Sequence, residues 1–342
     1  MQRAMPSLAN PFLSPEFAMA VGRFRPGARV AVLTEGQSIT GFFPFERRPL
    51  GAGVPICGWL TPCQGVVHAP GAEWDPRELL RGCHISAWRF DNLIADQQPF
   101  MAYHSAVVAS PLMDLSGGFE AYYEKVRVKS PRFCKELARR GRKLEREFGG
   151  LRVMADSRDT NVLRTLMAWK SEQYRQTNHV DRFEQPWLVE LLDILLATRS
   201  AQLNGLLSAL YAGDKLVAAQ FGLRTETLLV GWFTGYEISL GKYSPGLIHI
   251  KELAKEMAAA GIRIIDMGGG AKNYYKETMK SHDSFVAQGV VTSRSMLGVA
   301  HHVRNALTWT VRRTVRQRPG LHLAADQILR RSGLAHRIWG RI

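Results

Sequence analysis

The sequence predicts an α/β protein built from a duplicated domain, with mixed sheets flanked by helices. Two hairpin patterns and the helical stretches around them carry this prediction. Residues 28–35 and 38–46 read as strands joined by a tight turn at Gly36–Gln37, and residues 206–212 and 215–223 repeat the arrangement around Gly213–Asp214. Laying Gly36 on Gly213 sets an offset of 177 residues, about half of the 342-residue chain. It pairs Ile39 with Leu216, Gly41 with Ala218 and Arg47 with Arg224. Duplication is the economical explanation of such a period, with coincident hairpins as the alternative.

Between the hairpins the composition is helical. Residues 119–148 form a basic helical stretch that Ser130–Pro131 divides, because proline lacks the N–H a helix interior needs. Residues 161–176 and 186–198 continue as helices, and in the latter Leu188, Leu191, Leu192 and Leu195 mark one apolar face. After the second hairpin, residues 227–236 are rich in β-formers, and a loop at residues 241–247 opens a helix running to about Ala260. Ser244 suits its N-cap, Pro245 its first position and Gly261 its closing turn. Residues 262–267 then read as a short buried strand, and residues 51–58 as a loop. The expected domains are an N-terminal half (1–115), a basic helical connector (116–155), a C-terminal half (156–295) and a basic amphipathic tail (296–342).

Composition narrows the function. With 46% hydrophobic and 22% charged residues the chain is not intrinsically disordered. It has no run near the roughly 20 apolar residues of a membrane span, and its first residues lack a signal-peptide core, so a cytoplasmic location is expected. Four cysteines (Cys57, Cys63, Cys83, Cys134) form no CxxC pair and read as buried thiols. No HExxH, GxSxG or Walker A pattern occurs, so no metal is expected.

The net charge of +15 is concentrated. Residues 119–152 hold 11 Lys/Arg against 5 acids, and residues 295–342 hold 9 Arg against one acid, Asp326. Such patches suit membrane lipid, RNA or an acidic polymer, with solvated helix faces as the plain alternative. In the tail Val299, Val303, Leu307, Val311 and Val315 recur every four residues among arginines, and Trp339 follows near the end. That pattern suits either the protein's own core or an anionic membrane surface, which would place the protein at the inner face of the membrane.

A loop of small residues between a strand and a helix presents backbone N–H groups at the positive end of the helix dipole. Gly241, Tyr243, Ser244, Gly246 and Leu247 therefore form a candidate pyrophosphate site, although Ser-Pro-Gly opens many ordinary helices.

With the strand order, this loop resembles the GNAT acyltransferase superfamily, in which the corresponding loop holds the pyrophosphate of acyl-CoA. The superfamily's Q/R-x-x-G-x-G/A pattern is not matched here, since Pro245 stands between Gly241 and Gly246. A wider resemblance rests on Asn10-Pro-Phe-Leu-Ser-Pro15, Gly41-Phe-Phe-Pro-Phe45, Trp169-Lys-Ser-Glu-Gln-Tyr174 and Arg182-Phe-Glu-Gln-Pro-Trp187. Val217-Ala-Ala-Gln-Phe-Gly-Leu223, Tyr243-Ser-Pro-Gly-Leu247, and Ile265-Asp266 with Tyr275-Lys276 extend it. In this order the motifs resemble CelD-type acetyltransferases of bacterial cellulose and exopolysaccharide biosynthesis, a double-GNAT family related to the Fem aminoacyl transferases. The resemblance implies an N-acyl transfer from acetyl-CoA or another acyl-CoA to an amino sugar or cell-envelope intermediate. The acid common in that family after the glycines following Ile-Asp is missing from Gly270-Ala-Lys-Asn-Tyr-Tyr-Lys276, so no role for it carries over.

Acyl transfer to an amine needs a held donor, a stabilised oxyanion and a proton acceptor. Asp266, at a strand end beside glycines, can act as base, orient the acceptor, or simply cap the turn. Lys276 can stabilise negative charge, as the Fem Phe/Tyr-Lys motif implies, or be a surface lysine. Tyr275 and Tyr236 offer a phenolic proton, a stacking wall, or packing, and Glu237 is an alternative base. Gln173, Tyr174 and Trp187 can line an acceptor pocket or sit in core contacts. Two rivals stand beside this reading: a Fem-like transferase using charged tRNA, which the basic helix can serve, and a non-catalytic component of a polysaccharide-synthesis complex.

Overall fold

A computed structural model describes residues 1–2, 5–269 and 274–294. The glycine-containing stretch 270–273 and the basic tail from residue 295 onward, with its amphipathic pattern, lie outside the described residues. In chain order the elements begin with α1 (Pro15–Gly22), β1 (Ala28–Glu35), β2 (Ser38–Arg47), β3 (Ala52–Pro55), β4 (Val67–His68), α2 (Pro76–Gly82) and β5 (Ala87–Ile94). There follow β6 (His104–Asp114), α3 (Phe119–Lys129), α4 (Pro131–Phe148), β7 (Leu151–Met154), α5 (Thr160–Gln176) and α6 (Pro186–Ala197). The last are β8 (Asn204–Ala212), β9 (Lys215–Arg224), β10 (Leu228–Tyr236), α7 (Pro245–Ala259), β11 (Ile264–Asp266), α8 (Tyr274–Met279) and β12 (His282–Thr292).

The described chain divides into a larger unit, Met1–Phe24 with Val108–Val286, and a smaller one, Arg25–Val107 with residues 287–294. In the larger unit the strand order is β6-β11-β10-β9-β8-β7, parallel only between β10 and β11. In the smaller unit β1, β2, β3 and β5 lie side by side, parallel only between β3 and β5. The fold is therefore mixed α/β, as the sequence predicts. Residues 51–58, read as a loop, instead contain β3. Gly53 permits that strand, because a Cβ there would lie 2.6 Å from Ile85 Cδ1.

The repeat is visible in atomic register. In β1–β2 Leu33 faces Gly41, the register then slips, and Thr34 faces Ile39 and Glu35 faces Ser38. In β8–β9 Leu210 faces Ala218, the register slips, and Tyr211 faces Leu216 and Ala212 faces Lys215. Every partner, the bulge included, is displaced by the same 177 residues. The turn glycines match as well, with φ of 58° at Gly36 and 56° at Gly213. The offset persists to the helix ends, where His84 and Gly261 both take positive φ and the Ile85 and Ile262 amides close back on Leu80 and Met257. It reaches the first residues of β5 and β11, Ala87 and Ile264.

Burial explains the elements. In α6 Leu188, Leu191, Leu192 and Leu195 are buried, each stabilising by about 1.5–3 kcal/mol. The smaller unit packs Phe43, Phe45, Trp88, Phe90 and Phe100 into one core, with Phe43 edge-on to Trp88 at 4.8 Å. In the larger unit, α7 lies on the sheet, where Leu253 and Met257 pack with Leu206, Leu229 and Ile265. Alongside, α4 adds Leu137 and Leu144 to Leu210, Val217, Tyr243 and Ile248. The four cysteines are buried. Among the described residues no helix is long and apolar enough to cross a membrane.

Candidate active site

The site forms where β10 and β11 part. They pair in parallel over Leu228–Ile264, Leu229–Ile265 and Val230–Asp266, after which β11 ends while β10 runs on to Tyr236. Past Asp266 the Met267 amide bonds to the carbonyl of Pro111 on β6. Among the described residues the final part of β10 thus has no strand partner on the β11 side, and the loop into α7 stands at its end.

That loop differs from an ordinary helix start. Ser244 holds the N-cap position, as the sequence predicts, but in the left-handed region (φ 55°) and without a capping hydrogen bond from its side chain. Its hydroxyl instead accepts from the guanidinium of Arg140 on α4. Among the described residues the first turn of α7 has no side-chain cap, and it lies beside Arg140 and the exposed Lys242. Tyr236 lies across it. A Cβ on Gly246 would meet Tyr236 Cδ1 at 3.3 Å, and one on Gly241 would meet Cε2 at 3.9 Å. These are features that suit an anion: the uncapped Gly246 amide, nearby cations and glycines that carry no side chain of their own. Gly241, Ser244 and Gly246 stand together at this helix start. Tyr243 does not face such a ligand, since its ring is buried against Phe148 and its hydroxyl donates to the Glu147 carboxylate. Leu247 is half-buried against the same core.

The matching helix start in the smaller unit is closed. Asp75 caps α2, its carboxylate accepting from the amides of Arg77 and Glu78 at 2.8 Å. A cavity of about 510 Å³ opens beside it, and its lining includes Glu35, Glu73, Asp75 and Glu78, the wrong charge for a phosphate.

Asp266 and Lys276 bond to the two peptide groups that flank the Gly268 Cα. The Asp266 carboxylate accepts from the Gly268 amide at 2.8 Å and from the Ser110 hydroxyl at 2.8 Å, while Lys276 Nζ donates to the Gly268 carbonyl at 2.9 Å. Burial pushes the Asp266 pKa up, against the pull of those two hydrogen bonds and of the Lys276 charge. Burial likewise lowers the Lys276 pKa, and the Asp266 charge opposes it. Asp266 therefore does cap the turn, and it is also a carboxyl whose proton affinity is raised toward the range of a useful base. Tyr275 is half-buried, and burial raises its pKa.

Of the remaining candidates, Glu237 caps the turn that follows β10, and the others lie on or against α5 and α6. Glu237 accepts from the Ser239 amide and hydroxyl, which hold its carboxyl below the usual range. That makes it a cap and a weak base. Gln173 is exposed on α5 and accepts from Lys170. Tyr174 lies tilted against Phe183, which meets Phe233 of β10 edge-on at 5.1 Å. Trp187 is half-buried in the first turn of α6. The structure thus brings Tyr236, Gly241 and Gly246 together at one end of β10, and Asp266 with Lys276 at the end of β11. Ser110 and Arg140 were missed by sequence reasoning, each more than 100 residues from its partner.

Residues 131–277 match the family model described as acetyltransferase (GNAT) domain, a segment that spans α4 to α8 and both strands of the site. That segment is thus similar to a GNAT-type acetyltransferase domain. Its fold is similar to the C-terminal domain of a putative lysylphosphatidylglycerol synthetase from Agrobacterium fabrum, with a TM-score of 0.52, 12% identity, and 85% of this chain and 91% of that one covered. It is also similar to FemX, with a TM-score of 0.52, 9% identity, and coverage of 81% and 90%. A conserved protein of unknown function from Bacteroides thetaiotaomicron aligns with a TM-score of 0.51, 10% identity, and coverage of 82% and 92%. At these identities the likeness is one of fold. No curated protein matches the chain.

Proposed function

We propose that the protein is an N-acyltransferase that takes an acetyl or another acyl group from acyl-CoA and delivers it to the amine of an amino sugar or cell-envelope intermediate in exopolysaccharide synthesis. The observation that supports this reading best is the uncapped, glycine-containing start of α7 at the parting of β10 and β11. Acyl-CoA supplies an activated thioester. Gly241, Ser244, Gly246 and Arg140 hold its diphosphate. In the transfer a C–N bond forms as the C–S bond breaks, the amine loses a proton, and the sulfur leaves as thiolate and takes one up. Asp266 is the group suited to receive the amine proton, with Lys276 fixing the turn that carries it. The basic tail is proposed to hold the enzyme against anionic lipid at the inner membrane face.

The basic face of α4 favours a second reading, a Fem-like transfer from charged tRNA. Melting the full chain with acetyl-CoA, longer acyl-CoAs and tRNA separates the readings. A rise with an acyl-CoA and N-acylation of an amino sugar are expected. Stabilisation by tRNA alone, lost as salt rises, replaces the CoA reading with the tRNA one. No response to any CoA ester points to a non-catalytic component of a synthesis complex.

A further inference from the structure

His249 is a buried polar side chain that neither the core nor the site above explains. It lies in the second turn of α7, fully buried, and among the described residues neither ring nitrogen has a hydrogen-bond partner. Buried polar groups are normally paired, so this one calls for a ligand or a role.

The strand register shows what it stands over. On the face of the sheet under α7, Tyr236 lies beside Ala218, and Ala218 beside Leu210. The next row is Thr234, Gln220 and Ser208, and the one beyond is Gly231, Gly222 and Leu206. On α7, Gly246 abuts Tyr236, and Leu253 packs with Leu206 and Leu229. His249 falls between these two helix positions at a spacing of three and four, on the same side of the helix. Its place is therefore above the polar row.

Gln220 in that row is oriented. The Thr234 hydroxyl donates to Gln220 Oε1 at 3.1 Å, which turns the amide nitrogen the other way. That nitrogen lies 3.2 Å from where a Cβ of Gly231 would stand, and the same point is 3.6 Å from the Asp266 carbonyl oxygen. The Gln220 NH2 thus lies over Gly231, where β10 and β11 part, and glycine at 231 makes room for it.

We propose that Gln220 and His249 form a neutral donor pair that holds the thioester carbonyl oxygen of the acyl donor. The proposal rests on the acyl-CoA reading and deepens it. Burial lowers the His249 pKa to about 4, so the imidazole is neutral at pH 7 and offers one N–H. In a dry site two fixed neutral donors stabilise an oxygen that gains negative charge as the C–N bond forms, without the penalty of burying a cation.

The test compares CoA with acetyl-CoA by calorimetry on the full chain, because CoA lacks the carbonyl. Wild type is expected to bind acetyl-CoA about tenfold more tightly, the worth of one to two net hydrogen bonds. Gln220→Leu and His249→Leu should each reduce that preference while leaving the CoA affinity unchanged, and should lower kcat about 10²–10³-fold while KM for acetyl-CoA rises by no more than the lost preference, about tenfold. Gln220→Glu keeps the oxygen that accepts from Thr234 and replaces the donor, so it serves if the leucine variant fails to fold. A preference for acetyl-CoA that is the same in every variant overturns the proposal. A wild-type chain that binds neither CoA nor acetyl-CoA overturns the acyl-CoA reading itself, and this proposal with it.

Discussion

Gly246 is the position where a single side chain should separate donor binding from folding. Its missing Cβ would lie 3.3 Å from Tyr236 Cδ1, so alanine needs the ring to move by a few tenths of an ångström. The ring is free to do so, since Tyr236 is 41% exposed. Valine adds two further methyls over the first turn of α7, into the space assigned to the diphosphate. Glycine is the poorer helix former, so the apo protein should lose little, a fraction of about 1 kcal/mol in either direction. The wild type should gain about 2.7 kcal/mol from acetyl-CoA at about 100 times its Kd. In a unit of roughly 200 residues this moves Tm by about 5–11 °C. Calorimetric melting of wild type, Gly246→Ala and Gly246→Val, each with and without acetyl-CoA, reads the difference. The expected order is a full shift, a reduced one and none. A valine variant that keeps the whole shift refutes the placement of the donor.

Three further outcomes follow from the geometry. Because burial raises its pKa, Asp266 holds its proton more tightly in the folded state than in the unfolded chain. Its share of stability is full below the ordinary carboxylate value of 3.8 and declines as pH rises toward the folded-state pKa, then levels. Asp266→Asn should remove that decline in urea titrations and lower kcat about 10²–10⁴-fold; wild-type turnover and an unchanged pH profile would leave it a turn residue. Gly36→Ala should cost about 1–2 kcal/mol, because its φ is left-handed but the space around it is open. Gly213→Ala should cost more, since its Cβ would also lie 2.4 Å from the Phe148 carbonyl oxygen, and equal losses in urea unfolding would contradict that contact. Ending the chain after Met296 should abolish co-sedimentation with anionic vesicles and leave the melting transition in place. Loss of that transition, with no binding by the full chain, would sink the membrane role.

Local signals made much of the fold legible. Alternation and turn glycines marked both hairpins, Pro245 and Gly261 bounded α7, and Ser130–Pro131 separated α3 from α4. What stayed hidden depends on residues far apart in sequence. Ser244 has the chemistry of an N-cap, yet Arg140 takes its hydroxyl across 104 residues. Tyr243 sits in the loop that suggested a ligand, but Phe148 and Glu147 turn it inward. β3 lay behind glycines that look like a loop until Ile85 is seen to fill the space above Gly53. For Gln220 a signal was available: one amide in the otherwise apolar run Val217-Ala-Ala-Gln-Phe-Gly-Leu223. Its purpose becomes visible only when β9 is registered against β10.

Asp75 has a consequence for stoichiometry. A chain made of two copies of one hairpin–helix–strand plan could in principle have carried two equivalent donor sites. With its own carboxylate occupying the helix start, the N-terminal copy is closed to a diphosphate, so titration should saturate at one donor per chain.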